Sequence, residues 1–424
     1  MTTWNRRALL AALGGTAALS LAGCATSPAK PAARVVVIGG GFGGATAAKY
    51  IRLWAPEIDV VLVEREQAFV SCPLSNLVLG GSETIDKLTT GYDTLQKKYG
   101  VRLVRGEAVA VDADKRLVRL ASGDVLPYDR LIVSPGIHFQ YEQVPGLEKP
   151  EAQARVLHAW KAGPQTVALR QQLEALPNGG VYALHIPKAP YRCPPGPYER
   201  AAQVAWYFQQ HKPRSKVLVL DANPDIVSKK GLFLKAWNER YPGLVEYRPN
   251  SELVSVDAAS NTIELSFDKV KAGVLNVVPP QQAGKIAQTA GLITANAKWC
   301  GVNFQTFESV AVPNIHVLGD ATLSAPGMPK SGFMANNHAK VAADAVIALL
   351  TGRAVNPDPI IANTCYSFVS DTDVVHVASV HKWNATQKTL VPVEGAGGLS
   401  SQANAIEGQY AKSWARNIWA DALL

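Results

Sequence analysis

Two strand–helix–strand units opened by β-branched runs, a glycine-rich turn after the first, and a strand-patterned tail predict an α/β chain. The expected architecture is two doubly wound, Rossmann-like domains of the dinucleotide-binding type, followed by a C-terminal α+β interface domain. Length agrees, because 424 residues exceed one ordinary core and suit two or three domains. A hydrophobic content of 47% with 18% charged residues excludes the disordered and collagenous classes.

The first unit begins at Arg34-Val-Val-Val-Ile38, a buried strand by its β-branched run. Gly39-Gly-Gly-Phe-Gly-Gly44 forms the turn, a helix runs from about Ala45 to Trp54, and Asp59-Val-Val-Leu-Val-Glu64 is the next strand. The pattern restarts near Val156. A helix from Val167 to Leu176 leads to a strand over 179–186, a helix around 201–210 and the strand Lys216–Asp221. The strand Asn314–Leu318, the turn Gly319-Asp320-Ala321 and a helix over 335–350 read as a return to the first domain. The expected division is 34–154 for the first part of the nucleotide-binding domain and 155–299 for a second, similar domain. Residues 300–355 are the return segment, and 356–424, with short strands such as Val374–Ala378, the interface domain.

Ahead of these lies an expected export signal over residues 1–24 and a Pro-rich linker over 25–33. Arg6 and Arg7 precede an apolar run from Ala8 to Leu21, which is short for a membrane-spanning helix. The paired arginines are similar to a twin-arginine signal, which exports folded, cofactor-loaded proteins to the periplasm. Leu21-Ala22-Gly23-Cys24 is similar to a lipoprotein cleavage box, so Cys24 is a possible lipid anchor. The formal charge is +8, or about +6 without the leader arginines, and no Lys/Arg run points to nucleic acid. The eight histidines show no metal-ligand spacing, and His185 on its apolar strand reads as a core residue.

Gly39, Gly41 and Gly44 satisfy G-x-G-x-x-G directly after a strand. Gly39 permits the tight turn, Gly41 lets the backbone approach a pyrophosphate, and Gly44 lets the helix pack on the strand. Glu64 ends the next strand, where a carboxylate can accept ribose hydroxyl hydrogens. The second unit lacks such a turn. After Ile186 the chain reads Pro187-Lys-Ala-Pro-Tyr-Arg-Cys-Pro-Pro-Gly196, whose prolines remove the N–H donors a phosphate needs. That unit is not expected to bind a nicotinamide.

Tyr128-Asp-Arg-Leu-Ile-Val-Ser-Pro-Gly136 resembles the segment that crosses the FAD site in disulfide-reductase-like flavoproteins, bringing Ser134 and Gly136 to it. Asn314-Ile-His-Val-Leu-Gly-Asp-Ala321 resembles their late flavin motif, which implies that Asp320 holds the ribityl chain. Further stretches narrow the likeness. Arg192-Cys-Pro-Pro-Gly-Pro-Tyr-Glu-Arg200, Pro279-Pro-Gln-Gln-Ala-Gly-Lys-Ile-Ala287, Met328-Pro-Lys-Ser-Gly332 and Asn363-Thr-Cys-Tyr-Ser367 resemble the flavoprotein subunit of flavocytochrome c sulfide dehydrogenase. That resemblance implies an FAD enzyme that oxidises sulfide and passes electrons to a c-type cytochrome subunit. No Cys-x-x-Cys-His haem motif occurs here, which agrees with a haem on another polypeptide.

Beyond Cys24 the chain carries Cys72, Cys193, Cys300 and Cys365, for which three full pairings are possible. The resemblance implies FAD bound covalently through Cys72, although Pro73 stands where the family has an aromatic residue. It also implies a redox-active Cys193–Cys300 disulfide. Hydrosulfide would open it to a persulfide, and Cys300 would be the thiolate that reaches the flavin. A plain structural bridge remains open, since closing a loop of about 100 residues adds roughly 4–5 kcal/mol. Cys365 reads most simply as a small buried hydrophobe. Glu199, six residues after Cys193, could take protons from hydrogen sulfide, or could be a helix-start acid. Sulfide:quinone oxidoreductase and a non-catalytic electron-relay flavoprotein are the alternative functions.

Overall fold

The computed structural model describes residues 33–424. The expected export signal with Arg6, Arg7 and Cys24, and all but the last residue of the expected linker, lie outside the described residues.

The chain opens as its sequence implies. Strand β1 (Arg34–Ile38) leads through the glycine turn into α1 (Phe42–Trp54) and then β2 (Asp59–Glu64). A short helix α2 (Ser75–Gly80) and strands β3 (Arg102–Arg105) and β4 (Arg130–Val133) follow. The second unit contributes β5 (Val181–Ile186), α3 (Gly196–His211), β6 (Lys216–Asp221), α4 (Lys230–Arg240), β7 (Val245–Arg248) and β8 (Val274–Val277). The chain returns through β9 (Ile315–Val317) and the long α5 (Gly332–Thr351). It ends in β10 (Ile360–Phe368), β11 (Val374–Asn384), β12 (Thr389–Leu399) and α6 (Ala405–Leu423).

Five strands form a parallel sheet in the order β9-β4-β1-β2-β3, extended at the β9 edge by a short antiparallel hairpin. Val35, Val36 and Val37 of the central β1 are fully buried. That is why its sequence is continuously apolar instead of alternating. The second sheet, β7-β6-β5-β8, is also parallel throughout. The tail forms an antiparallel sheet, β10-β11-β12. Its strands reach 11 residues, longer than the short ones expected.

Core packing crosses two of the expected boundaries. Val144 and Leu147 already pack into a core shared with β6 and β8. Ala283, Ile286, Ala287 and Leu292 belong to the first core, ahead of the expected return at residue 300. α5 starts at a Ser331 cap whose hydroxyl accepts from the Met334 N–H at 3.1 Å, and it stops at the left-handed Gly352. α6 is capped by Asn404, whose side chain accepts from the Glu407 N–H at 2.9 Å. Among the described residues, no helix is long and apolar enough to cross a membrane.

Candidate functional site

A cavity of about 1060 Å³ opens where the two parallel sheets and the tail sheet meet. Its walls include a first group, Gly41, Glu64, Cys72, Ser134 and Asp320, and a second, Cys193, Glu199 and Cys365.

The first group is a nucleotide cradle. Gly39 sits at φ +96°, and a Cβ there would lie 2.3 Å from the Ser134 carbonyl oxygen. A Cβ on Gly44 would lie 1.8 Å from the Gly39 carbonyl oxygen, so α1 can rest on the turn only without a side chain there. Gly41 differs: a Cβ would meet nothing within 4 Å, because it would project into the cavity. The Glu64 carboxylate accepts from the Gly40 N–H at 2.5 Å and the Glu66 N–H at 2.7 Å, which fixes the turn against β2. The Ser134 N–H donates to Ile38 at 2.8 Å, carrying the following turn, with Gly136 at φ +62°, across the cavity. Asp320 offers a buried Oδ1 with no protein partner. Burial pushes its carboxyl pKa up, while Arg192 and Lys330 pull it down. An unpartnered buried acceptor is costly alone and suits a polyhydroxyl chain. The cradle therefore fits FAD: α1's first turn for the pyrophosphate, Glu64 for the ribose, and Asp320 for the ribityl hydroxyls.

Cys72 also lines the cavity, at the base of α2. Its carbonyl accepts from the Ser75 hydroxyl at 2.6 Å, and Ser71 is held by the Trp419 indole at 2.9 Å. α6 thus braces the segment that carries Cys72.

The structure does not bring the expected pair, Cys193 and Cys300, together on the cavity wall. All four described cysteines are free thiols. Cys300 is fully buried in the first core and does not reach the cavity wall. Its N–H donates to Ala321 and its carbonyl accepts from the Leu323 N–H, which locks it behind the Asp320 turn. Cys193 instead faces Cys365, which the sequence left as a core hydrophobe. Burial, then Cys365 and Glu199, push the Cys193 thiol pKa up; Arg192 and Lys229 act against this. Cys193 adopts a left-handed φ of +58°, a strained conformation for a side-chain-bearing residue. Its N–H donates to Lys330 at 2.9 Å, docking the second unit's loop onto the start of α5. Cys365 reaches the same cavity from β10, a tail strand whose destination local sequence does not reveal. The signal available was its place in Asn363-Thr-Cys-Tyr-Ser367, one of the family-like stretches.

Glu199 lies in the first turn of α3 and is buried. It accepts from Asn76 Nδ2 at 2.9 Å and from the Phe368 N–H at 2.8 Å. Burial raises its pKa, and these hydrogen bonds, with Lys229 and Arg200, oppose the rise. Sequence reasoning missed Arg200, which is fully buried. It donates to Asn76, Asn276 and the carbonyls of His158 and Ala159, and it stacks near the Trp160 ring. Its bonds fasten α2, α3 and β8 together under the cysteines.

In the second unit, Asp221 at the end of β6 holds the place where a dinucleotide fold keeps its ribose acid. Here it is saturated. Oδ2 accepts from the Tyr198 and Tyr247 hydroxyls at 2.8 and 3.0 Å, and Oδ1 accepts from the Asn223 backbone and side-chain nitrogens. Together with the proline-filled turn, this leaves neither a phosphate cradle nor a free ribose acceptor. NADH should therefore fail to reduce the bound flavin. Anaerobic mixing with 1 mM NADH, the upper end of ordinary substrate affinities at about 1 mM, checks this. Bleaching within the turnover time would contradict it.

Residues 166–279 match the central domain of the sulfide dehydrogenase (flavocytochrome c) flavoprotein chain, and residues 357–423 match the flavocytochrome c sulphide dehydrogenase flavin-binding domain. Residues 33–172 match the pyridine nucleotide-disulphide oxidoreductase domain. The chain is 64% identical over 45 residues to a sulfide dehydrogenase (flavocytochrome c) flavoprotein chain of Chlorobaculum thiosulfatiphilum, covering 94% of that relative and 11% of this chain. It is 24% identical over 335 residues to the mitochondrial sulfide:quinone oxidoreductase of Mus musculus, covering 73% of this chain and 69% of the relative. The sulfide:quinone oxidoreductase structure from Aquifex aeolicus superposes with a TM-score of 0.73 over 92% of each chain, at 19% identity.

Proposed function

Since the chain belongs to the family of the flavoprotein chain of flavocytochrome c sulfide dehydrogenase, an FAD-dependent sulfide-oxidising family, we propose that it oxidises sulfide at Cys193 and Cys365 and passes the electrons to a c-type cytochrome. The observation that supports this most strongly is that one cavity is lined by both cysteines, the glycine turn and Asp320.

In this reading the working enzyme cycles a Cys193–Cys365 disulfide. Glu199, whose pKa burial raises, takes a proton from hydrogen sulfide as it enters. Hydrosulfide attacks one sulfur of the pair. A new S–S bond forms as a persulfide, the old S–S bond breaks, and the other cysteine leaves as a thiolate. Closing the disulfide again releases sulfur at the zero oxidation level, one proton and two electrons. FAD held by α1's first turn, Glu64 and Asp320 would supply the acceptor for those two electrons and the means of releasing them singly. Arg192 lies among Cys72, Asp320 and Cys193 and tempers negative charge across the cavity.

The covalent link at Cys72 belongs to the same proposal, because Cys72 lines the cradle. So does export by the twin-arginine route to the periplasm, with Cys24 as a lipid tether; replacing Arg6 and Arg7 by Lys should then retain the precursor inside the cell.

Anaerobic sulfide oxidation with c-type cytochrome or a soluble quinone analogue as the alternative acceptor tests the reading. Cytochrome should give a kcat/KM at least about tenfold higher, a difference of ~1.4 kcal/mol in barrier. Faster quinone reduction would make the chain a sulfide:quinone oxidoreductase. The same preparation, denatured in acid, should keep its flavin on the Cys72 peptide.

A further inference from the structure

Lys229 lies outside every motif that builds the site, and the reaction proposed above does not use it. It is nevertheless a buried cation that interacts with both cysteines. It sits at φ +56° just before α4, a left-handed conformation that a lysine adopts under constraint. Its Nζ donates to the Cys365 carbonyl at 2.9 Å, to the Ser367 hydroxyl at 2.7 Å and to the Val375 carbonyl at 3.3 Å. Those three bonds tie it to β10, at Cys365 and two residues beyond it, and to the facing β11. Asn363 Nδ2 also donates to Cys365 Sγ at 3.3 Å, so the sulfur already has a donor that favours its anion.

We propose that Lys229 is a positioning residue that decides which sulfur leaves: its ammonium stabilises Cys365 as the departing thiolate and so directs hydrosulfide to Cys193. The proposal rests on the Cys193–Cys365 reading above. The atoms balance: hydrosulfide bonds to Cys193 Sγ, the disulfide opens, and the electron pair of the broken bond stays on Cys365 Sγ.

The surrounding charges agree. The groups facing Lys229 are Cys365 on β10, Glu199 on α3, Cys193 in the loop before α3, and Glu407 on α6. The Phe233 ring of α4 lies 5.7 Å away. Burial pushes the Cys365 thiol pKa up; Lys229 is the strongest influence in the other direction, toward the thiolate, and Glu199 adds only weakly to the rise. At Cys193 the balance reverses, because Glu199 opposes a thiolate more strongly than Lys229 favours one. Burial brings the Lys229 pKa down to about 8, while Cys365, Glu199, Cys193 and Glu407 hold it up. The cation is therefore present below about pH 8 and is lost above it, so its help to the thiolate fades as pH rises through that value.

Two measurements on the holoenzyme test this. In the first, oxidised wild-type enzyme receives less than one equivalent of sulfide without oxygen, is alkylated, and is mapped by mass spectrometry. The extra sulfur should lie on Cys193; finding it on Cys365 overturns the proposal. In the second, the enzyme is reduced with a dithiol and the rate of Cys365 alkylation is followed against pH. Below about pH 8, where the cation is present, Lys229→Gln should lower the alkylation rate at fixed pH at least about tenfold, the loss of thiolate that one unit represents. Lys229→Arg should restore most of it. A merely structural lysine would lower Tm and leave the titration where it was, which overturns the proposal even if turnover falls. If Lys229→Gln does not fold, the wild-type persulfide map still decides. A wild-type enzyme with no Cys193–Cys365 link sinks the underlying reading along with this one. A link with an unshifted titration sinks this one alone.

Discussion

Cys193→Ser and Cys365→Ser should each lower sulfide turnover by at least about 10³-fold, ~4 kcal/mol in barrier, with FAD still bound. Cys300→Ala should stay within about twofold of wild type at a temperature where it is folded, since only a small buried volume is lost. The contrast follows from position. Cys193 and Cys365 share the cavity wall, and each supplies half of the bond that hydrosulfide must open. Cys300 is enclosed in the first core, with Trp299 beside it and backbone bonds to Ala321 and Leu323. Turnover by purified variants with measured flavin content checks all three. Loss of activity in Cys300→Ala with Cys365→Ser still active would restore the pairing that the sequence implied.

Gly41→Val should fold and lose flavin, whereas Gly44→Ala should fail at the fold itself. Gly41 has an extended backbone at φ −73° that valine tolerates, and a Cβ there meets no protein atom. The new side chain would stand where the pyrophosphate approaches the start of α1. Occupancy should fall by at least about tenfold, corresponding to ~1.4 kcal/mol or more of affinity. Gly44 has no such room, because its Cβ would overlap the Gly39 carbonyl oxygen at 1.8 Å. Absorbance at the flavin band, together with far-UV circular dichroism, separates the outcomes. Full flavin retention in Gly41→Val would remove the glycine turn from the site.

The cradle was legible in the sequence because its information is local. β1, the turn, α1 and β2 are consecutive, so burial and glycine spacing both show in one stretch of chain. Asp320, Ser134 and Gly136 were legible by likeness, and the structure brings all three to the cavity. The sulfur pair was not legible in the same way. Cys300 and Cys365 are each the lone cysteine of their stretch, and only the path of the tail sheet decides which one shares the cavity with Cys193. The resemblance implied Cys300, yet the structure buries it in the first core. Arg200 ends a family-like stretch but nothing in it showed its role, and Lys229 gave no signal, since basic residues in a chain normally mark a solvated face. Their roles come from burial, which a linear pattern does not carry. The saturation of Asp221 by Tyr198 and Tyr247 was likewise invisible, although the proline-rich turn beside it pointed the same way.

The central claim is that sulfide is oxidised through a disulfide between Cys193 and Cys365. A non-reducing digest of the oxidised holoenzyme, before and after one equivalent of sulfide without oxygen, tests it most directly. The account predicts a linked Cys193–Cys365 peptide that disappears on sulfide addition as a Cys193 persulfide appears. A Cys193–Cys300 link, or a Cys193–Cys365 link that sulfide leaves intact while the flavin is reduced, would contradict it.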